Sequence, residues 1–460
     1  MGSQYEGEIP AAELQRQADE WDDHGPPPDP VLDVPADEGP STPNLPAEFW
    51  QARTALANVR QAAHARARSA DAVLGATLAR VAALAPPTIK LPAVVGSAAT
   101  LDLAVALIGR SGAGKTSSNN VAGELVPIVD EDVAVLPLGS GEGLIESYIG
   151  MVDEVDDDGK THKVRRQVMR AVLALLDEGQ ALADMDKRTG STVMSTIRSA
   201  WSGDRLGQTN ASAERRRHLA PGEYRFALLA GFQTEHAAAL LDDAAGGTPQ
   251  RFLFLPAEDP TVPDEAPEWP GSLDWRPPVH QAAPMDIDAA VAAEIRGRNL
   301  ARTRGEVTID PLDAHRDLSR LKVAGLLALL DDRLTITAED WHLAGMVLDT
   351  SDRVRSTIQW VAKARARDAE RAATDRVVRR SAAVETDAEA RALDAMTRAI
   401  ARHVHRGTCD GGCRRRCASR ATTGKHRQLV DVDRAIDEAE TLRWIVREGE
   451  TIRPGEARPT

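Results

Sequence analysis

The sequence predicts an α/β fold: a parallel sheet carrying a phosphate-binding glycine loop, with helical regions on either side and a winged-helix-like domain at the C-terminus. Three observations lead there. Five short apolar runs lie between residues 101 and 256, a glycine-rich pattern of eight residues follows the first of them, and the last 55 residues combine a helix and a small hairpin with concentrated basic charge.

The strands come first. "LDLAVALIG", "VAVLPLG", "AVLALLDE", "YRFALLAGFQ" and "RFLFLPA" are nearly continuous apolar runs of strand length. Parallel strands covered on both faces read this way, and helical stretches such as 190–201 fall between them. Ahead of the sheet, 48–100 carries apolar residues at helical spacing, with Ser69 or Asp71 as the cap between two helices; it is expected as a helical lead-in to an ATPase domain over 101–275. A Pro-rich crossing segment follows, then a helical region over 284–400, whose arginine-rich end is expected as a solvated helix face. Residues 401–460 form the last domain, in which "WIV" turns through Arg447–Glu450 into "TIR" after a helix, the outline of a winged helix.

Composition narrows the function classes. The 460 residues carry a net charge of −14, but eleven acids against Arg16 place −10 of it in residues 1–47, which are Pro-rich and are expected to be a disordered acidic tail. Arg402–Arg427 holds eight basic residues against Asp410. A local patch of this kind attracts polyanions whatever the total. No apolar run approaches the roughly 20 residues that span a bilayer, and the N-terminus is acidic where a secretory signal is basic, so a cytoplasmic protein is expected.

The glycine-rich pattern is Gly109-Arg110-Ser111-Gly112-Ala113-Gly114-Lys115-Thr116, followed by Ser117. It meets the P-loop motif in full. Glycines let the chain curl so that N–H groups face phosphates, and the following helix adds its positive end. Lys115 is expected on the β/γ-phosphates of ATP and Thr116 on Mg²⁺. Hydrolysis requires a second Mg²⁺ ligand, a carboxylate, expected at Asp177 where the third run ends, although "RQVMRAVLALLDE" also fits one amphipathic helix. It further needs a carboxylate to orient water, for which Glu178 and Glu142 compete, and a γ-phosphate sensor, for which Gln233 at the end of the fourth run is suited. Arg251, just before the fifth run, is the candidate arginine supplied to a neighbouring subunit.

The three cysteines all lie between Cys409 and Cys417. With His405, the set His405, Cys409, Cys413 and Cys417 has the donors of a tetrahedral zinc site, His403 standing in reserve; three reduced cysteines in a turn are the alternative. Six basic residues, Arg414, Arg415, Arg416, Arg420, Lys425 and Arg427, surround them.

Several stretches carry a resemblance: "FWQARTALANVRQAAHARARSADAVLGATLARVAAL", "LPAVVG", "ALIGRSGAGKTSS", "LPLGSGEGLIESYIG", "LLDEGQAL", "IRSAWSGDRLGQTNA", "YRFALLAGFQ", "GGTPQRFLFLP" and "GCRRRCASR". Together they resemble P-loop proteins of actinobacterial phages, plasmids and integrated elements that carry a RecA-like ATPase similar to replicative helicases. The resemblance covers the chain from about Phe49 onward. It implies a ring-forming ATPase, hexameric in the helicases, that acts on single-stranded or duplex DNA. In RecA-like ATPases the water-polarising glutamate follows the second strand, which makes Glu142 a competitor of Glu178 for that role. Their DNA loops occupy the interval that here reads "SGDRLGQTNASAERRRHL", with Arg205, Arg215, Arg216 and Arg217. Three functions stay open: a DNA-dependent motor, an ATP-switched replication initiator or regulator that does not unwind, and a metabolic P-loop kinase.

Overall fold

A computed structural model describes residues 44–208, 217–244, 246–278, 284–407, 409 and 411–459. Of the acidic tail, 1–43 lie outside the described residues. Its last residues do not behave as a tail, because Leu45 is buried and its N–H donates to Asp71.

The five apolar runs all become strands of one sheet: β1 (Leu103–Ile108), β2 (Val133–Pro137), β5 (Ala171–Leu176), β8 (Arg225–Phe232) and β9 (Phe252–Pro256). They lie in the order β2-β5-β8-β1-β9 and every pairing is parallel. Alternate residues serve the two faces. Leu103, Val105 and Leu107 of β1 enter one core, and Ala104, Ala106 and Ile108 enter the other. This two-sided burial is why β1, β5, β8 and β9 read as unbroken apolar runs, whereas the edge strand β2 is buried only at Val133.

On the first face lie α3 (Ala70–Leu84) and α4 (Lys115–Leu125). Fourteen of the fifteen residues of α3 are buried, and Ser69 caps it through its hydroxyl. Its alanines and Gly75 let it lie close to the sheet: a Cβ on Gly75 would stand 2.6 Å from Leu255 and 2.9 Å from Val105. The expected lead-in, α1 (Ala47–Gln51), α2 (Thr54–Ala65) and α3, is therefore a layer of the domain itself. A helix apolar on all sides has to be enclosed. The same core takes in α9 (Ala289–Thr303) and α10 (Arg316–Leu330), whose Val291, Ile295 and Leu321–Leu330 pack there. On the other face are α5 (Gly141–Glu146), α6 (Gln180–Asp186), α7 (Val193–Ser202) and the short α8 (Ala238–Leu241).

Three small pairs lie outside the expected plan: β3 (Ile149–Val155) antiparallel to β4 (Thr161–Gln167), β6 (Leu206–Gln208) antiparallel to β7 (Arg217–Leu219), and β10 (Asp286–Ile287) parallel to β11 (Thr335–Ile336). The helix α11 then runs from Ala338 to His405, 68 residues. It contains the division between two compact units, residues up to Ala362 and residues from Lys363 onward. The boundaries expected near 284 and 401 are thus replaced by one at 362/363. No described helix is long and apolar enough to cross a membrane.

In the second unit α11 is followed by α12 (Arg415–Ala421), α13 (Gly424–Arg427), α14 (Val432–Thr441) and the hairpin β12 (Ile445–Glu448) and β13 (Thr451–Pro454). The expected helix and hairpin are both present. Residues 365–387 of α11 are all exposed, as a solvated helix face requires.

Candidate functional site

Because the five strands are parallel, their C-terminal ends share one edge of the sheet. The glycine-rich loop leaves β1 at that edge and turns into α4 at Lys115, with Gly112 and Gly114 in the left-handed region at φ +80° and +84°. Only glycine adopts such angles without steric cost. Lys115 folds back over the loop, its Nζ donating to the carbonyls of Gly109 and Arg110 at 2.9 Å each. Burial lowers the pKa of its ammonium, against the pull of Glu258 and Glu235. Ser117 and Ser118 donate to the Gly114 carbonyl at 2.9 and 3.0 Å, which fixes the first turn of α4. The N–H groups of that turn have no acceptors within the helix and leave a positive end beside the loop.

The run ending in Asp177 is a strand, β5, which removes the alternative of one amphipathic helix. β8 lies between β1 and β5, and across its end the Thr116 hydroxyl donates to Asp177 Oδ1 at 3.3 Å. Gly231 makes this approach possible: a Cβ there would stand 3.0 Å from the Asp177 carbonyl and 3.4 Å from Lys115 Cδ. Gln233 follows β8 directly and is exposed at the same edge. Lys115, Thr116, Asp177 and Gln233 therefore share one neighbourhood.

The competing glutamates differ in position. Glu178 adjoins Asp177 at the end of β5, two strand positions from β1, or about 10 Å at ordinary strand spacing. Glu142 follows the edge strand β2, a further position away, and accepts from the Thr192 hydroxyl at 2.8 Å. Glu178 is the nearer by strand order. Arg110 is committed elsewhere, its N–H and Nε both donating to Glu258 Oε1 at 3.1 and 2.9 Å. That guanidinium holds Glu258 below the usual carboxylate range.

Arg251 is not brought to the loop within one chain. It precedes β9 and so occupies the opposite edge of the sheet, donating to the Gly247 carbonyl and lying 5.5 Å over the Trp201 ring. Of the arginines expected in a DNA loop, Arg205 is exposed, Arg215 and Arg216 lie outside the described residues, and Arg217 is described by its backbone in β7.

The residue that sequence reasoning missed is Arg68. Its Cδ and Nη1 each lie 2.9 Å from where a Cβ on Gly114 would stand. α2 ends in paired bonds, Ala67 N–H to His64 O at 3.0 Å and Arg68 N–H to Ala63 O at 2.9 Å, with Ala67 left-handed at φ +49°. This is a Schellman cap with alanine where glycine is usual, and it aims the next residue at the loop. Among the described residues no carboxylate pairs with Arg68. A positive φ after a helix was invisible with alanine in that place.

In the second unit the donor atoms of His403, Cys409 and Cys413 all lie within 4.8 Å of one another; Cys417 is not in that close set, though its thiol interacts with those of Cys409 and Cys413. His405 does not join them. Its Nε2 lies 2.7 Å from the Trp444 carbonyl. Residues two apart on a helix point to nearly opposite sides, so only one of the two histidines can face the cysteines. Burial first, then the neighbouring thiols, push the Cys413 thiol up to about 12.

Basic residues ring this cluster: Arg414, Arg415, Arg416, Arg420, Lys425 and Arg427 are exposed. Arg415 is engaged by Asp433 at 2.6 Å. α14, the helix next to the hairpin, carries Asp433, Asp437, Glu438 and Glu440 on its outer side. Compared with known proteins, the chain matches no family model and no curated protein.

Proposed function

We propose that the chain is an ATPase that acts on DNA, a motor of the replicative-helicase kind with a RecA-like core. The observation that carries this reading is the 3.3 Å contact between Thr116 and Asp177 at the mouth of a loop that also presents Lys115. A hydroxyl and a carboxylate are the hard oxygen donors that Mg²⁺ prefers, and one or two protein ligands are what such sites usually provide. Mg²⁺ would neutralise charge on the β- and γ-phosphates of bound ATP. The chain's own residues do the rest: Lys115 exchanges two loop carbonyls for phosphate oxygens, and Arg68 adds a second cation beside Gly114. Glu178 or Glu142 orients the attacking water, and Gln233 registers the terminal phosphate at the end of the strand between them and the loop.

Support for DNA as the partner comes from the exposed arginines of α12 and α13 and their flanks, which suit phosphate contacts without sequence readout. The acidic outer side of α14 opposes a winged helix that lays this helix in a groove, so contact is assigned to the α12 side. A second reading, an ATP-switched regulator without unwinding, is favoured by Arg251, which is taken up within its own chain.

The test is turnover with and without single-stranded DNA, unwinding of a forked duplex, and mass in solution with and without ATP and Mg²⁺. DNA-stimulated turnover with strand separation by a ring supports the motor. Binding to DNA with negligible turnover supports the switch. Phosphoryl transfer to a small molecule, with no response to DNA, would overturn both.

A further inference from the structure

The second unit has a weak apolar core. Its described buried cluster has fourteen residues, five of them alanine, and the aromatic Trp444 is only partly buried against it. Units with so little apolar surface commonly need a cross-link or a metal to hold one structure. Every cysteine of the chain lies in this unit, and none is in a disulfide.

We propose that His403, Cys409, Cys413 and Cys417 bind one structural zinc ion, which fastens the C-terminal hairpin to the end of α11. Zinc held by thiolate at about 2.3 Å and imidazole at about 2.0–2.1 Å in a tetrahedron sets those two donors about 3.6 Å apart. Cys409 Sγ and His403 Nε2 are 3.6 Å apart. Cys413 completes a triangle of donors within 4.8 Å. Cys417, in the first turn of α12, stands outside that triangle and would close in as the fourth ligand, its thiol already interacting with those of Cys409 and Cys413.

The backbone between the ligands is shaped for the purpose. Gly411 and Gly412 have φ of +85° and +100°, which reverses the chain between Cys409 and Cys413. At Gly412 a Cβ would stand 2.1 Å from Thr451 Cγ2, so the turn sits directly against β13. Cys413 then exchanges two backbone hydrogen bonds with Ile452, 3.1 and 2.6 Å long. One ion would therefore link the last turn of α11, the glycine turn, α12 and, through Cys413, the hairpin. Three thiolates and one imidazole favour zinc over harder cations, and four protein ligands leave no open position for chemistry.

The experiment uses the full chain purified without chelator, with metals measured by elemental mass spectrometry and Co²⁺ as a spectroscopic substitute. One zinc per chain is expected, and the Co²⁺ form should show thiolate charge-transfer bands and intense tetrahedral d–d bands. His403→Ala should weaken Zn²⁺ binding by more than about 100-fold, a ligand loss exceeding the usual effect of an outer-shell change. His403→Cys should restore binding, and His405→Ala should keep the full metal content. Less than one-tenth of a metal per chain overturns the proposal. So does an intramolecular disulfide with one free thiol, an iron–sulfur chromophore, or zinc lost in His405→Ala but kept in His403→Ala. None of these readouts depends on nucleotide or DNA.

Discussion

Removing the side chain of Arg68 tests whether the glycine-rich loop works as a phosphate site with an added cation. The guanidinium stands 2.9 Å from the Cβ position of Gly114, and its one described hydrogen bond goes to the adjacent Ala67 carbonyl. Nothing distant depends on it, so Arg68→Ala should cost no more than about 0.5 kcal/mol of stability, the usual range for surface changes. A hydrogen bond to a charged group contributes about 1.5–3 kcal/mol. Arg68 is partly exposed, so the lower end applies, which corresponds to roughly tenfold in affinity. Calorimetric titration with ATP, ADP and AMP in the presence of Mg²⁺ should show ATP and ADP weakened about tenfold and AMP unchanged, with Arg68→Lys between. Lys115→Ala, which removes the central cation, should lose more than about 100-fold. ATP affinity in Arg68→Ala within twofold of the parent, beside a strong Lys115→Ala effect, would show that the arginine plays no part in phosphate binding.

Two further expectations concern the same domain. Asp177→Asn should leave Mg²⁺-free nucleotide binding within about threefold while lowering Mg²⁺-dependent turnover by at least about 100-fold, since an amide neutralises the carboxylate that accompanies Thr116; equal turnover in steady-state assays would remove Asp177 from the metal site. Asp71, 1 % exposed and bonded to Asn44 and Leu45, has its carboxyl raised to about 7, chiefly by burial. Its folded-state pKa lies above the unfolded value, so its stabilising contribution is complete below about pH 4 and is lost as pH rises through about 7, by at most about 4 kcal/mol. Melting curves from pH 5 to 8 should therefore show Asp71→Asn less stable than the parent at pH 5 and level with it or above it at pH 8, whereas parallel curves would contradict the raised value.

What could be read from sequence follows from where the forces act. Four of the strands, β1, β5, β8 and β9, are legible because burial on both faces writes unbroken apolar runs, β2 is an apolar run although it is a half-exposed edge strand, and the loop is legible because its glycines have a backbone reason. The β3–β4 hairpin leaves no clear strand pattern because it is largely exposed and mixes Met151, Val152 and Val155 with charged residues, although Asp156-Asp157-Asp158-Gly159 is a turn signal of the kind that joins two strands. α3 was taken for a lead-in despite being apolar on every side, a pattern that already implied enclosure. Other features had no local signal. Which of His403 and His405 faces the cysteines depends on the rotation of α11, and the aim of Arg68 depends on an alanine taking a glycine's angle.

Arg251 separates the proposed motor, in which subunits would share hydrolysis, from the proposed switch. Within its chain it lies at the far edge of the sheet from Lys115, where burial and nearby Arg198 lower the pKa of its guanidinium. A head-to-tail ring joins one surface of each subunit to a different surface of the next, so distance from the loop in one chain does not bar service to the neighbouring loop. To serve there, the guanidinium must leave the Gly247 carbonyl and the Trp201 ring. Mixing separates the two cases. In an equal mixture of Lys115→Ala and Arg251→Ala chains, about a quarter of the interfaces in a randomly assembled ring combine an intact lysine with an intact arginine. If the arginine acts across the interface, two nearly inactive variants should together recover up to about a quarter of the parent turnover, since each such interface regains a contribution of order 10³-fold or more. If Arg251 serves only its own fold, Arg251→Ala alone should lower the melting temperature and the mixture should give no more than the average of its parts.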